Sequence, residues 1–245
     1  MPPRLKTRTN LAPRRLKQPA AAVVRGAFER PSSLRDQIYG ILRKRILIGD
    51  LPPGATVDEK ALADEFQVSR TPVREAVKKL TDENLVEVKA QSRTMVRSID
   101  RKLIHEAFLI RRALEVENIG HAAERALKAD IHRLEDILML HKLALQRRHF
   151  VDAIGLDDDF HRQIAEISDL PRLWQTIDVS KAHLDRCRYL TVPRPGLGEA
   201  TLAQHASIIK ALEHNDKALS RRTMGEHLDK AYQGILTFLD SMVPE

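Results

Sequence analysis

The sequence predicts a mainly α-helical chain: a small helical unit closed by a two-stranded hairpin, then an antiparallel bundle of about six helices. Three observations predict it. Two amphipathic segments between 58 and 80 are joined by only three residues, Gln67-Val68-Ser69. Two short β-type runs follow at once, Leu85-Val86-Glu87-Val88 and Thr94-Met95-Val96-Arg97. Beyond Asp100, apolar residues recur almost to Leu239 with a period of about 3.6, and strand signals are scarce.

Residues 1–30 combine Pro2, Pro3, Pro13 and Pro19 with eight basic residues and the single acid Glu29, an excess that equals the net charge of +7. They show no apolar period, so a disordered basic tail is expected, able to add sequence-independent attraction to phosphates. From Pro31-Ser32-Ser33 a serine can cap a helix whose apolar residues recur at Leu34, Ile38, Ile41, Leu42 and Ile46 until Gly49 stops it. Leu51-Pro52-Pro53-Gly54 is a turn. A second helix runs from Asp58 to Phe66, with Leu62 and Phe66 facing inward. Ser69 or Thr71 can cap the third, Pro72 suits its first turn, and Val73, Ala76, Val77 and Leu80 make its apolar stripe. With a hairpin behind them whose loop, Lys89 to Arg93, holds two basic residues, these helices make a winged helix-turn-helix. The bundle is interrupted near Lys128 to Asp130, His149, Asp169 to Pro171, Val192 to Gly198 and Asn215. The expected organisation is a tail at 1–30, a winged helix-turn-helix unit at 31–98, and a helical unit at 99–245.

Composition narrows the function classes. With 42% hydrophobic, 31% charged and 4% aromatic residues, the chain fits a helix-rich folded protein and not a disulfide scaffold or a collagen. Cys187 has no cysteine to pair with in the chain, which suits a reducing compartment and a small buried hydrophobe. No apolar run approaches the ~20 residues of a membrane span. The expectation is a cytoplasmic protein with no membrane partner.

Opposite the stripe of the third helix lie Arg70, Thr71, Arg74 and Lys78, with Ser69 at its start. A recognition helix presents this end to DNA, where arginine can bond guanine twice and hydroxyls can hold phosphates. The run Val68-Ser69-Arg70-Thr71-Pro72-Val73-Arg74-Glu75-Ala76 resembles the GntR family of bacterial regulators. Ile48 to Gly54 upstream and Leu80 to Val86 downstream extend the likeness, which covers 33–97. The resemblance implies that Arg70 and Arg74 meet bases or adjacent phosphates while Ser69 and Thr71 anchor the backbone. Lys60 stands where many members have an arginine, and a lysine contact there is more point-like. In the wing, which contributes Arg93, Lys89 to Arg93 contains no glycine, and Asn84 replaces another common glycine while tolerating positive φ.

All ten histidines lie at or after His105. Asp157 and His161 stand at i and i+4 on the apolar side of one helix, with Phe160 and Ile164. His205 interrupts the stripe of Leu202, Ile209 and Leu212, and His227 sits among Met224, Leu228 and Ala231. Four polar groups on three core-facing stripes are costly to bury separately, whereas one cation could use them all. Residues 100–240 resemble the FadR-type (FCD) effector domain of the GntR family, in which Asp-x-x-x-His, His-x-x-Ile and Met-x-x-His-Leu elements often form a metal site. Asp157 with His161, His205 with Ile208, and Met224 with His227-Leu228 are those elements here. The resemblance implies a divalent transition metal, zinc, nickel, manganese or iron. It also implies a small organic or sugar acid as effector, received by Arg111 or by its neighbour Arg112; His183 is a reserve ligand.

The function expected is a homodimeric transcription regulator, a repressor in the first instance, that binds an inverted-repeat operator on double-stranded DNA. One rival is a metalloenzyme, disfavoured because no His-Glu-x-x-His and no general base stands beside the ligands in the sequence. The other is a nonspecific nucleoid-type binder, which would hold any duplex equally at matched salt.

Overall fold

A computed structural model of the chain describes residues 32–89, 93–194 and 196–242. The tail expected at 1–30 and the wing tip at 90–92 lie outside the described residues.

The first unit is built as the residues require. α1 (Leu34–Leu47) starts at Ser33, whose hydroxyl accepts from Asp36 N–H at 3.2 Å. Its buried residues are Ile38, Leu42, Ile46 and Leu47; Leu34 and Ile41, expected in the stripe, are exposed. α2 (Glu59–Phe66) is capped by Asp58, which accepts from Lys60 and Ala61 N–H, and it ends at Gln67 in the left-handed region. That reversal sets α3 (Arg70–Asp82) across α2. Ser69 occupies the N-cap of α3, but neither it nor Thr71 makes a side-chain cap there, a correction to the expected cap; Pro72 needs no partner in that first turn. Val73, Ala76 and Leu80 are fully enclosed between α1 and α2. Each of the larger side chains contributes about 1.5–3 kcal/mol by leaving water.

Asn84 takes φ 57°, which folds Leu85 back so that its N–H bonds Leu80 O at 3.0 Å. The hairpin therefore begins one residue later than the sequence suggests, as β1 (Val86–Lys89) and β2 (Arg93–Val96), antiparallel with Val86 opposite Val96. Gly54, at φ 80°, turns the chain so that residues 54–57 line the other side of β2: Gly54 N–H bonds Val96 O and Val57 N–H bonds Thr94 O, both at 2.8 Å.

Seven helices follow among the described residues: α4 (Arg101–Ala123), α5 (Lys128–Gln146), α6 (Phe150–Ile167), α7 (Pro171–Ser180), α8 (Ala182–Thr191), α9 (Leu197–Glu213) and α10 (Lys217–Asp240). The number exceeds the six expected because the chain breaks at Lys181, where no glycine or proline marks a break. Lys181 is wholly buried, its ammonium drawn inward to Asp185 at 2.6 Å and Asp158 at 2.9 Å. One core lies between α4, α5, α6, α9 and α10, and a second unites α4, α8 and α10 around Ile104, Leu184, Cys187 and Phe238. α8 joins the two halves of the molecule, since Ala182 and Tyr189 pack into the core of the first unit while Leu184 and Cys187 belong to the bundle. No helix of the described residues is long and apolar enough to cross a membrane.

Candidate functional site

On α3 the apolar stripe fixes what faces out. With Val73, Ala76, Val77 and Leu80 inside, Arg70, Thr71, Arg74 and Lys78 share the exposed side, and Ser69 is exposed at its start. Lys60 on α2 and Arg93 at the beginning of β2 are also exposed. Arg74 is held only by a loose contact, Nε to Glu59 Oε2 at 3.4 Å, with its side chain 67% exposed. Such a pair yields readily to a phosphate or a base edge.

Inside the bundle the four residues picked from three stripes converge. Ring nitrogens of His161, His205 and His227 come within 4.8 Å of one another, and His141, Asp157 and His205 form an overlapping group. Asp157 Oδ1 is 3.5 Å from His205 Nε2, and Asp157 Oδ2 is 3.8 Å from His161 Nε2. Neighbours fix the rings. His227 Nδ1 meets Gln204 Oε1 at 2.8 Å, and His161 Nδ1 lies against Glu115 Oε2. The Glu115 carboxylate only accepts, which directs a hydrogen of His161 to Nδ1, and the Gln204 amide holds the His227 ring by its Nδ1. The Nε2 atoms of these two rings face each other at 3.3 Å. His205 is fully buried, stacked on Phe160 with ring centroids 4.0 Å apart, and among the described residues neither of its nitrogens has a hydrogen-bond partner, nor does His141 Nδ1.

The electrostatics suit a cation. Burial first, and the neighbouring histidine charge second, push His205 well below the usual imidazole range and His227 down to about 3; burial also lowers His141. Burial alone would raise Asp157, but Arg188 and then His205 outweigh it and hold its carboxyl well below the ordinary value. Imidazoles that burial keeps neutral, as at His205 and His227, beside an ionised carboxylate are donors that a divalent transition metal takes as ligands. The residues fit the group.

A cavity of about 270 Å³ opens beside this cluster. Arg111, Asp157, Arg188 and His227 line its polar end, and Ile154, Val192 and Leu197 are among its apolar walls. Arg111 is 5% exposed; its Nε donates to Glu115 Oε1 at 2.5 Å while one terminal nitrogen, Nη2, is buried without a partner. Arg112, the alternative, points elsewhere and clasps Asp229 at 2.7 and 3.1 Å. His183 is not brought to the cluster. It sits where α8 meets the first unit, with Arg186, Arg97 and the Glu83 backbone for neighbours.

Four residues of the site escaped the sequence. His141 stands on the buried side of α5 with Ile131, Leu134 and Ala144, the same signal that marks the other histidines. Glu115 is a carboxylate beside the ligands that the sequence reading did not single out, and Arg111 ties it. Burial would raise Glu115, and Arg111 overrides that and holds it well below the ordinary carboxylate range. Gln204 and Arg188 carry no periodic signal. A further trio of carboxylates, Asp158, Asp178 and Asp185, already encloses the Lys181 ammonium and is a salt-bridge centre.

Compared with known proteins, residues 34–96 match the model for bacterial regulatory proteins of the gntR family and residues 106–230 match the FCD domain. The HTH-type transcriptional repressor RspR of Escherichia coli (strain K12) is 33% identical over 202 residues, which is 82% of this chain and 89% of RspR. Two solved structures share the fold. E. coli McbR/YncC has a TM-score of 0.75 at 23% identity, covering 85% of this chain and 100% of that one. A GntR transcriptional regulator from Rhodococcus sp. RHA1 has a TM-score of 0.68 at 23% identity, covering 84% and 99%.

Proposed function

Because the chain belongs to the GntR family of bacterial regulatory proteins, with an FCD domain behind its helix-turn-helix, we propose that it is a homodimeric repressor whose hold on an inverted-repeat operator is set by a small carboxylate metabolite bound at a metal site in the bundle. The matched families and RspR are transcription regulators, which sets the metalloenzyme reading aside.

In this reading residues 31–98 form the cytoplasmic regulator's DNA-binding unit, and residues 99–245 bind effector and pair the protomers. Arg70 and Arg74 address base edges or the phosphates beside them. Ser69, Thr71, Lys60 and Lys78 hold the backbone, and Arg93 acts from the wing. The tail at 1–30 adds phosphate attraction. Asp157, His161, His205 and His227 are the metal ligands, with His141 a further donor within reach. A bound zinc, nickel, manganese or iron ion would offer its open positions to a carboxylate. Arg111 receives the acid with its buried Nη2, while Gln204 and Glu115 hold the rings of His227 and His161 in place. The apolar wall around Ile154, Val192 and Leu197 excludes water and limits the acid to a small body.

The observation that carries the reading is the opposition of His161 Nε2 and His227 Nε2 at 3.3 Å. Around it the ring nitrogens of His161, His205 and His227 lie within 4.8 Å of one another, with the Asp157 carboxylate beside them. Selecting preferred duplexes from a random pool, with and without chelator, tests the whole reading at once. It predicts a dyad-symmetric winner and a changed affinity for it on chelation. A pool that stays unselected favours a nonspecific binder, and a winner indifferent to chelator removes the metal.

A further inference from the structure

Asp157 sets Oδ1 3.5 Å from His205 Nε2, while Oδ2, 3.8 Å from His161 Nε2, accepts from Arg188 Nη2 at 2.5 Å. The same guanidinium bonds Asp158 at 2.8 Å and Asp185 at 2.9 Å. Those carboxylates share the Lys181 ammonium, at 2.9 and 2.6 Å, and it also lies 3.5 Å from Asp178. Asp178 leads to the first unit. Arg43 of α1 lies 3.5 Å from its carboxylate and donates to its backbone oxygen at 2.5 Å. Arg43 Nε then bonds Glu83 at 3.2 Å, and Glu83 is the C-cap residue of α3, its carboxylate also receiving the Tyr39 hydroxyl.

The charges alternate along the whole line, from Asp157 through Arg188, Asp158 with Asp185, Lys181, Asp178 and Arg43 to Glu83. Its centre is dry, with Lys181 0%, Asp185 2% and Arg188 8% exposed. Ion pairs removed from water interact strongly and tolerate loss of a partner poorly, so within the buried stretch a change at Asp157 bears on Lys181, and the half-exposed Asp178 links Lys181 to Arg43. Arg188 also lines the cavity and thus has a second place to go. It can hold Asp157, or turn to an incoming carboxylate when Asp157 is engaged by a cation. Such a pair of arrangements is what a switch requires.

We propose that this row of ion pairs, carried by α8, transmits the state of the Asp157 and histidine site to the end of the recognition helix within one protomer. The proposal rests on the reading of that site as a metal site. Arg188, Lys181 and Arg43 are positioning residues here.

The chain's single tryptophan, Trp174, provides a local probe, since the Lys181 ammonium stands 5.6 Å from its ring centroid. The test uses the full chain, with zinc alone as the ligand, and reads three quantities. Competition with a chromophoric chelator gives zinc binding, Trp174 emission reports on Lys181, and anisotropy of the selected duplex gives operator affinity. In the native sequence zinc is expected to alter Trp174 emission and to change operator affinity at least ~5-fold. Arg43→Gln should bind zinc and show the emission change, yet its operator affinity should shift less than about twofold. Asp178→Asn keeps the backbone bond, and because its side chain is 39% exposed it poses little risk to folding; it should reduce the shift. Either variant responding with the native fold-change while holding zinc overturns the proposal, as does zinc binding with unchanged Trp174 emission. Absence of zinc binding in the native sequence is a separate failure, seen in the chelator arm, and it removes the metal reading together with the relay.

Discussion

His161 and His227 face each other Nε2 to Nε2 at 3.3 Å, each with its other nitrogen turned to an accepting oxygen, Glu115 Oε2 for the first and Gln204 Oε1 for the second. In the function proposed above, the pair holds a cation. The protein as purified should therefore carry about one divalent transition metal per chain by elemental analysis. Saturating zinc at a hundredfold its dissociation constant should add about 2.7 kcal/mol to stability. His205→Ala should lower both occupancy and the added stability. Full occupancy in that variant would remove His205 from the ligand set.

Arg74 is exposed on the reading side of α3 and loosely held by Glu59. Arg74→Ala should cost about 1–3 kcal/mol at the preferred operator and relax its selectivity. Lys78→Ala should weaken all duplexes alike and reduce the salt slope by about 0.9. Affinities measured across a salt series check both, and an unchanged preference in Arg74→Ala contradicts the base-reading role.

Leu80 is 0% exposed and joins α3 to the core formed with α1 and α2. Leu80→Ala should destabilise the first unit by about 2–5 kcal/mol, the range for a leucine deleted from a closed core. Denaturant melts check this, and a loss below about 1 kcal/mol would mean that the site collapses around the gap.

Asn84 stands at φ 57° at the exit of α3. Asn84→Gly should be neutral or slightly stabilising, whereas Asn84→Val should cost about 1–2 kcal/mol because a branched side chain resists that conformation. Thermal melts of the two variants should differ in that order.

His183 fixes a pH dependence. Burial, then Arg186, push it down to about 4, against the Glu83 backbone and Asp100, which favour its charge; Arg97 opposes it as well. It is neutral in the folded protein at neutral pH, while the unfolded chain takes up its proton below about 6.5. Its contribution is therefore fully present above about pH 6.5. It is lost as pH falls toward about 4, amounting to about 3 kcal/mol at most. His183→Gln should flatten the stability profile across that window, and an unaltered slope would assign the dependence to other groups.

What the sequence made legible follows from periodicity. The stripe from Val73 to Leu80 is amphipathic, so its opposite side could be named. Asp157, His161, His205 and His227 interrupt apolar stripes, so their convergence could be anticipated. His141 has the same mark and was equally readable. Arg188 and Lys181 were not, because α8 is buried nearly all round, from Ala182 to Arg188, and a helix without a wet side has no phase to read. The break at Lys181 is invisible as well, because its ammonium is drawn in partly by Asp158 on another helix, a pairing with no local signal. The exposure of Leu34 and Ile41 on α1 is likewise decided by neighbours distant in sequence.

The most direct test of the account is the affinity of the selected operator at fixed salt for metal-free protein and for protein with one equivalent of zinc and a candidate acid, in the native sequence and in His205→Ala. A change of ~5 to 150-fold in the first and none in the second is predicted, corresponding to a coupling of about 1–3 kcal/mol. Equal affinities in the native sequence, with zinc and acid demonstrably bound, would contradict it.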